Sequence, residues 1–205
     1  KFSGPWCSTN RRSARTAAWS ASTEANTGNA FYGRPRLDWS TLERHNEGVM
    51  ASTACLRGPL SQRVLADDEP GAREVMAKLL AIFGDRLYIE LHTNSLPEQK
   101  IVNEILVSLA REYSVPLIAS VDSHYPCHEH AHVHKVWIAA QTSKDLTDDA
   151  DLFAGGADYY LKTEAEVRQS LAYLGESVVD EAVSSTVVVA NRCNAKIQGQ
   201  TTAPT

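Results

Sequence analysis

The chain has 205 residues, of which 43% are hydrophobic and 22% are charged, a composition typical of a globular protein with one sizeable domain. Its formal net charge of -5 argues against tight, autonomous nucleic-acid binding, which usually needs a basic surface. No apolar run approaches the roughly 18 residues of a membrane span, and the N-terminus has no signal-peptide pattern. We therefore predict a cytoplasmic protein without a membrane partner.

Hydrophobic periodicity and turn residues predict an alternation of helices and strands after a polar, aperiodic start over residues 1–28. The predicted strands cover residues 49–53, 87–92, 115–121 and 159–162. The predicted helices cover residues 41–45, 61–66, 69–82, 97–113, 136–140 and 177–193, with a further helix that begins after Thr163. Thr163 and Glu166 have the spacing of a capping box. We expect helix 97–113 to bury Ile101, Ile105, Leu106 and Leu109.

The strand, helix, strand alternation predicts parallel βαβ units with a site at the carboxyl ends of the strands. Asp122 and His124 follow a buried strand, and residues two apart on a strand point to one face. A carboxylate beside an imidazole suits zinc or manganese. The alternative is an Asp cap beside a surface histidine in a loop. Cys55 follows the strand at 49–53 and is a further candidate ligand.

The four cysteines form no C-x-x-C pair, which indicates neither a zinc ribbon nor a disulfide scaffold, and we predict reduced thiols. A histidine cluster follows Cys127, and two of its pairs have the i, i+4 spacing of a helical metal site: His128 with His132 and His130 with His134. The alternative is a helix start with solvated imidazoles. His134 remains a secondary metal candidate.

Six motifs in order resemble the PHP (polymerase and histidinol phosphatase) domain of bacterial DNA polymerase III alpha subunits. They are Phe-Tyr-Gly-Arg-Pro-Arg-Leu-Asp at 31–38, Glu-Gly to Cys-Leu-Arg-Gly over 47–58, Leu-Pro-Glu-Gln at 96–99, the segment 116–125, Tyr-Tyr-Leu-Lys at 159–162 and Ala-Asn-Arg-Cys-Asn at 190–194. The resemblance implies an α/β fold, here an incomplete, irregular (β/α)7 PHP-type barrel. It divides the chain into an unmatched, poorly ordered segment at 1–19, a partial PHP domain at 20–197 and a tail at 198–205.

The resemblance also implies a metal centre at the barrel mouth, with Zn²⁺ or Mn²⁺ held by Cys55, Asp122 and His124. The family's upstream His-x-His and further ligands have no counterpart here, so we expect a fragment of a longer gene that carries part of the site. The family's usual His-Gly before Leu-Pro-Glu-Gln is replaced by Asn94-Ser95, which makes the neighbouring His92 a secondary candidate ligand.

The implied function is that of a segment of a replicative DNA polymerase III alpha subunit, with 3′–5′ exonuclease or phosphoesterase chemistry at the PHP metals. Templated synthesis would use Mg²⁺ in a polymerase domain absent from this chain. The implied partners are DNA, through the parent polymerase, and replisome subunits such as a sliding clamp or a proofreading subunit. Arg34 and Arg36 are candidate DNA phosphate contacts, unless they are solvated or paired with carboxylates. The alternatives are a non-catalytic PHP scaffold and, third, a free-standing PHP phosphoesterase.

Overall fold

The described residues, 7–8, 37–143, 145–146 and 158–194 of a computed structural model, form a mixed α/β fold around one sheet. Its strands lie in the order β1 (Cys7–Ser8), β2 (Val49–Ser52), β3 (Leu87–His92) and β4 (Leu117–Ser120). β1 is antiparallel to β2, whereas β2, β3 and β4 are parallel. The carboxyl ends of these three strands therefore meet at one edge of the sheet, as the βαβ pattern predicted.

The described helices connect and cover these strands. They are α1 (Trp39–Arg44), α2 (Pro59–Leu65), α3 (Glu69–Phe83), α4 (Pro97–Tyr113), α5 (Ala131–Thr142), α6 (Glu164–Leu171) and α7 (Glu176–Arg192). Asp68 caps α3 by accepting a hydrogen bond from Gly71 N at 2.9 Å. The predicted capping box of Thr163 and Glu166 begins α6. Among the described helices, none is long and apolar enough to cross a membrane.

The apolar core lies between one face of the sheet and the helices. Leu87, Ile89 and Leu91 of β3 are fully buried, and so is Leu117 of β4. The helices contribute side chains with at most 2% exposure, which include Met76, Phe83, Leu106 and Leu171. Burying each such side chain stabilises the fold by about 1.5–3 kcal/mol, so this layer holds the sheet against the helices.

The opposite face of β3 is buried as well, although it carries Tyr88, Glu90 and His92, which are 3–4% exposed. Alternation of apolar and polar residues along a strand is typical of one solvated face. Here the polar face is enclosed, and its charged groups need partners inside the protein.

α4 turns a different face to the core from the one that its sequence predicted. Leu106 and Leu109 are buried as expected, but Ile101 is 56% exposed and Ile105 is 40% exposed. The buried stripe also contains the polar residues Gln99 and Asn103. Apolar periodicity alone predicted the wrong buried face. The two amides can be buried because they have hydrogen-bond partners inside the protein.

Two further expectations need correction. The predicted strand at 159–162 is a single bridge, in which Tyr160 pairs with Tyr125. Cys193 is disulfide-bonded, so the prediction of reduced thiols is wrong there, whereas Cys55 and Cys127 are free. The widely spaced cysteines gave no signal, because a disulfide depends on proximity in space. The predicted tail at 198–205 and, apart from β1, the segment at 1–19 lie outside the described residues.

Candidate functional site

The candidate site lies where β2, β3 and β4 end. His92 is the last residue of β3 and stands opposite Ser120, the last residue of β4, in the parallel register. Cys55 follows β2 by three residues, and Asp122 and His124 follow β4. Because neighbouring parallel strands end at one edge, the fold places these predicted ligands on adjoining strand ends.

Beyond β4 the backbone turns sharply at Asp122, which has a φ of 53°. Asp122 and His124 are both exposed. The Nδ1 atom of His124 lies 2.6 Å from the carbonyl oxygen of Asp122, a distance at which Nδ1–H donates to that oxygen. In a neutral ring this contact leaves Nε2 as the unprotonated nitrogen, which is the form that a metal binds.

The backbone of His124 is fixed by the segment that contains Tyr159. His124 N donates to the carbonyl oxygen of Tyr159 at 2.7 Å, and Leu161 N donates to the carbonyl oxygen of Tyr125 at 3.1 Å. The ring of Tyr159 lies edge-on to the ring of His124, with 5.3 Å between centroids. The 159–161 segment therefore lies beside the chain that follows β4 and is joined to it by one bridge.

The pKa of Tyr159 is affected by the charged groups around it. Burial raises the pKa of the Tyr159 hydroxyl, and the negative charges of Asp122, Asp158 and Cys55 raise this pKa further. Cys55 and Asp122 therefore both contribute to the electrostatic environment of this buried tyrosine.

His134 of α5 joins this cluster from the side. Its side chain is half-buried. Its ring centroid lies 5.5 Å from the ring centroid of His124 and 5.2 Å from that of Tyr125. Burial, and then the charge of His124, lowers the pKa of His134. The other clustered histidines, at 128, 130 and 132, are exposed, as the solvated alternative predicted.

A second polar group, Glu90 with His92, occupies the enclosed face of β3. Ser52 Oγ donates to Glu90 Oε2 at 2.5 Å, and His92 Nε2 lies 3.3 Å from Glu90 Oε1. Burial raises the pKa of the Glu90 carboxyl, but contacts with His92, Ser52 and Ser120 lower it more, to about 2. Glu90 is therefore a buried carboxylate that stays ionised at neutral pH.

His92 is not fully satisfied by its surroundings. Its contact with Glu90 is not aligned as a hydrogen bond, and neither ring nitrogen has a hydrogen-bond partner among the described residues. The hydroxyl of the adjacent Thr93 is also buried without such a partner. Buried polar atoms normally have partners, so this end of β3 has capacity to bind a further polar group.

Two side chains from other parts of the chain form hydrogen bonds with the backbone at the end of β3. Asn103 of α4 donates from Nδ2 to the carbonyl oxygen of His92 at 2.9 Å. Lys162, whose side chain is 2% exposed, donates from Nζ to the carbonyl oxygen of Thr93 at 2.8 Å and pairs with Asp158 at 2.6 Å. The Tyr-Tyr-Leu-Lys segment is thereby tied to both β3 and β4.

The donor types at these strand ends fit Zn²⁺ or Mn²⁺, since thiolate, imidazole and carboxylate are ligands of these ions. Within the described ranges, however, no three His, Cys, Asp or Glu side chains converge closely enough to hold a metal ion. The described side chains therefore have suitable chemistry but do not complete a coordination sphere. Arg34 and Arg36, the predicted phosphate contacts, lie outside the described residues.

Sequence reasoning missed Glu90 and Lys162. The signal for Glu90 was a carboxylate in an otherwise apolar and aromatic strand, where an unpaired charge would be costly. The signal for Lys162 was a lysine within a predicted strand, and its burial could not be foreseen without the position of Thr93.

Comparison with known proteins agrees with the motifs. Residues 9–94 match the PHP domain family. The chain contains a PHP domain. A DNA polymerase III subunit alpha from Thermus aquaticus is 37% identical over 165 residues, which cover 80% of this chain and 13% of that protein. One from Aquifex aeolicus is 40% identical over 57% of this chain and 10% of its own length. One from Mycobacterium tuberculosis is 32% identical over 77% of this chain and 13% of its own length.

These shares show that the chain spans only about an eighth of the length of the curated relatives that it matches. The similarity extends well beyond the matched PHP segment, because it covers about four fifths of the chain. The PHP domain and its likeness to polymerase III alpha subunits are therefore established, whereas the activity of a whole polymerase is a separate question.

Proposed function

We propose that the chain is the PHP part of a DNA polymerase III alpha subunit. The similarity over 80% of the chain to the Thermus aquaticus protein carries this proposal. The enclosed polar face of β3 supports the finer proposal of an irregular (β/α)7 barrel, because a closed barrel would bury that face in its interior. DNA, the replisome partners and Mg²⁺-dependent polymerisation belong to the proposed parent protein, outside this chain.

The second part of the proposal is that the strand ends bind Zn²⁺ or Mn²⁺ through Cys55, Asp122 and His124. Supporting it are the adjoining ends of the parallel strands and the hydrogen bond that orients the His124 ring. His92 is the further candidate, because its ring nitrogens are buried without hydrogen-bond partners in the described part of the chain. His134 would contact His124 from α5.

A Zn²⁺ or Mn²⁺ ion bound there would supply Lewis-acid chemistry toward a phosphodiester, the basis of 3′–5′ exonuclease or phosphoesterase activity. The protein residues have their own tasks. Cys55 must lose its proton to act as a ligand, so binding weakens as pH falls. Tyr159 packs edge-on against the ring of His124 and restrains its orientation.

Metal content tests this proposal. We expect about one or more equivalents of zinc or manganese in the purified protein by elemental mass spectrometry, with a sharp loss in Cys55→Ala. Cys127→Ala is the matched control, because Cys127 is the other free, half-buried cysteine, and it should retain the metal. Equal metal content in the two variants would refute Cys55 as a ligand.

The second candidate function is a non-catalytic scaffold. It is favoured by the lack of three converging ligand side chains among the described residues and by the exposure of Asp122 and His124. A folded protein without bound metal after zinc or manganese has been supplied would support the scaffold and would contradict the metal-dependent nuclease.

A further inference from the structure

A groove of about 240 Å³ lies on the helical side of the molecule, between α2, α3 and α4. None of the strand-end residues described above lines it. Its volume is several times the ~30 Å³ of one water molecule but below the roughly 300–1,000 Å³ of small-molecule sites. The groove is therefore suited to one or two side chains of a docked polypeptide.

The groove has an apolar component that continues onto the surface. Val64 and Leu109 line it together with Ile105, which is 40% exposed. Ile101 lies one turn earlier on α4 and is 56% exposed, and Leu65, next to Val64 on α2, is 41% exposed. Ile101 and Ile105 are the two side chains of α4 that the helix pattern predicted to be buried and that the structure exposes. Apolar side chains exposed beside a groove are typical of protein interaction sites.

The groove also has an excess of negative charge. Four carboxylates line it: Asp67, Asp68, Glu69 and Glu112. Only one cationic side chain, Arg73, is among the residues that line it. Arg73 pairs with both Glu69 and Glu112, so two carboxylates share one guanidinium. Arg63 pairs with Asp68 at 2.8 Å from outside the lining. Two negative charges remain after these pairings are counted.

Asp67 is the carboxylate best placed for a partner. It is exposed, its φ is 54°, and it forms no ion pair with any side chain in the described ranges. Asp and Asn tolerate this left-handed backbone better than most residues. The neighbouring carboxylates are already paired within the chain, so Asp67 is the one available to a cation from outside.

We propose that this groove binds a segment of a partner protein that presents a lysine or arginine flanked by aliphatic side chains. The cation would reach Asp67 and the uncompensated charge of the Glu69, Arg73 and Glu112 group. The aliphatic side chains would cover Ile105 and its exposed neighbours. Charge complementarity selects a basic segment over an acidic one, because like charges in contact oppose binding.

The test is selection of binders from a random 12-residue peptide display library on the full 205-residue chain. The groove variant combines Asp67→Asn, which keeps the backbone preference, with Ile105→Gln, which keeps a good helix former. The control variant combines Glu176→Gln with Val187→Gln, which removes one charge and one exposed aliphatic side chain from α7. Thermal unfolding and circular dichroism serve to check that both variants fold. Peptide binding is measured for each single substitution as well.

We expect the selected peptides to combine Lys or Arg with Leu, Ile, Val or Met. They should bind at least tenfold more weakly to the groove variant, bind unchanged to the control, and weaken as salt is added. Selected peptides without basic residues, equal binding to both variants, or no enrichment at all would overturn the proposal. A dimer in sedimentation experiments that is lost only in the groove variant would also overturn it and would assign the groove to a second copy of this chain.

Discussion

The ends of β3 and β4 lie side by side in one sheet but place their charged groups in opposite environments. Glu90 and His92 are 3% and 4% exposed and are held by contacts from neighbouring elements. Asp122 and His124 are exposed, and Asp122 itself has left-handed backbone geometry. The family motif pointed to the exposed pair and missed the buried Glu90, whose carboxylate depends on contacts inside the protein. Residues that a motif identifies and residues whose charge must be compensated by the fold are therefore not the same at this site.

The physical reason is the cost of burying charge. An ionised carboxylate inside the protein is tolerated only where polar partners replace water, as Ser52, Ser120 and His92 do for Glu90. Asp122 keeps its contact with solvent and needs no such set of partners. Substitutions at the end of β3 should consequently change mainly the stability of the fold, whereas substitutions after β4 should change mainly the binding of a metal.

The largest effect is expected from Glu90→Ala. The substitution leaves the Ser52 hydroxyl and its neighbours without the carboxylate that they contact, and each hydrogen bond lost to a buried charged group costs about 1.5–3 kcal/mol, so we expect a total loss of about 3–5 kcal/mol. Urea denaturation should show this loss in the free energy of unfolding, or the absence of a cooperative transition. Glu104→Ala, which removes an exposed carboxylate from α4, is the control and should change stability little. A loss below about 1 kcal/mol for Glu90→Ala would show that the buried pair is not restrained as described.

The next effect is the acid dependence of stability. The pKa of Glu90 is about 2 in the folded protein against an ordinary value of 4.5, so the folded state favours the ionised form. This stabilisation is fully present above about pH 4.5 and is lost as pH falls toward 2. At about 1.4 kcal/mol per pKa unit, it amounts to about 3.5 kcal/mol at most.

Unfolding free energies of the native chain and Glu90→Gln, measured from pH 6 to pH 3, isolate this contribution. The native chain should lose more stability over this range than the variant. Glu166, whose pKa is lowered to about 2 chiefly by the hydrogen bond from the Thr163 backbone, contributes to both proteins alike. If the two proteins lost stability equally as pH falls, the pKa of Glu90 would not be lowered in the folded state.

The smallest effect on stability is expected from Asp122→Asn. The side chain is exposed, and Asn accepts the left-handed backbone at this position, so the free energy of unfolding should change by no more than about 0.5 kcal/mol. Metal content should nevertheless fall sharply, because a neutral amide is a poorer ligand than a carboxylate. Strong destabilisation with unchanged metal content would reverse the roles of the two strand ends.

Much of the helix and strand order followed from local sequence. Leu87–His92 and Pro97–Tyr113 were predicted with the bounds that the structure shows, because alternation, a leading proline and apolar periodicity all act locally. Helix α5 was predicted too short, since it begins at Ala131 and buries only Ala139, which leaves little apolar pattern to detect.

The candidate site was less accessible from sequence. The strand positions of Cys55, Asp122 and His124 followed from the βαβ pattern, but which neighbours they meet depends on the tertiary structure. Nothing local indicates that both faces of β3 are buried or that Lys162 reaches Thr93. Such contacts join distant parts of the chain, and periodicity carries no information about them.

The hydrogen bond from Lys162 to Thr93 joins residues 69 positions apart in the chain. Closing so long a loop costs more conformational entropy than forming the neighbouring βαβ units, so it should come after them during folding. We therefore expect the sheet formed by β2, β3 and β4 to assemble first and the 158–162 segment to dock last. The strand-end site would then acquire its final shape in a late folding step, and slow docking of this segment would delay ligand binding even when the core is already native.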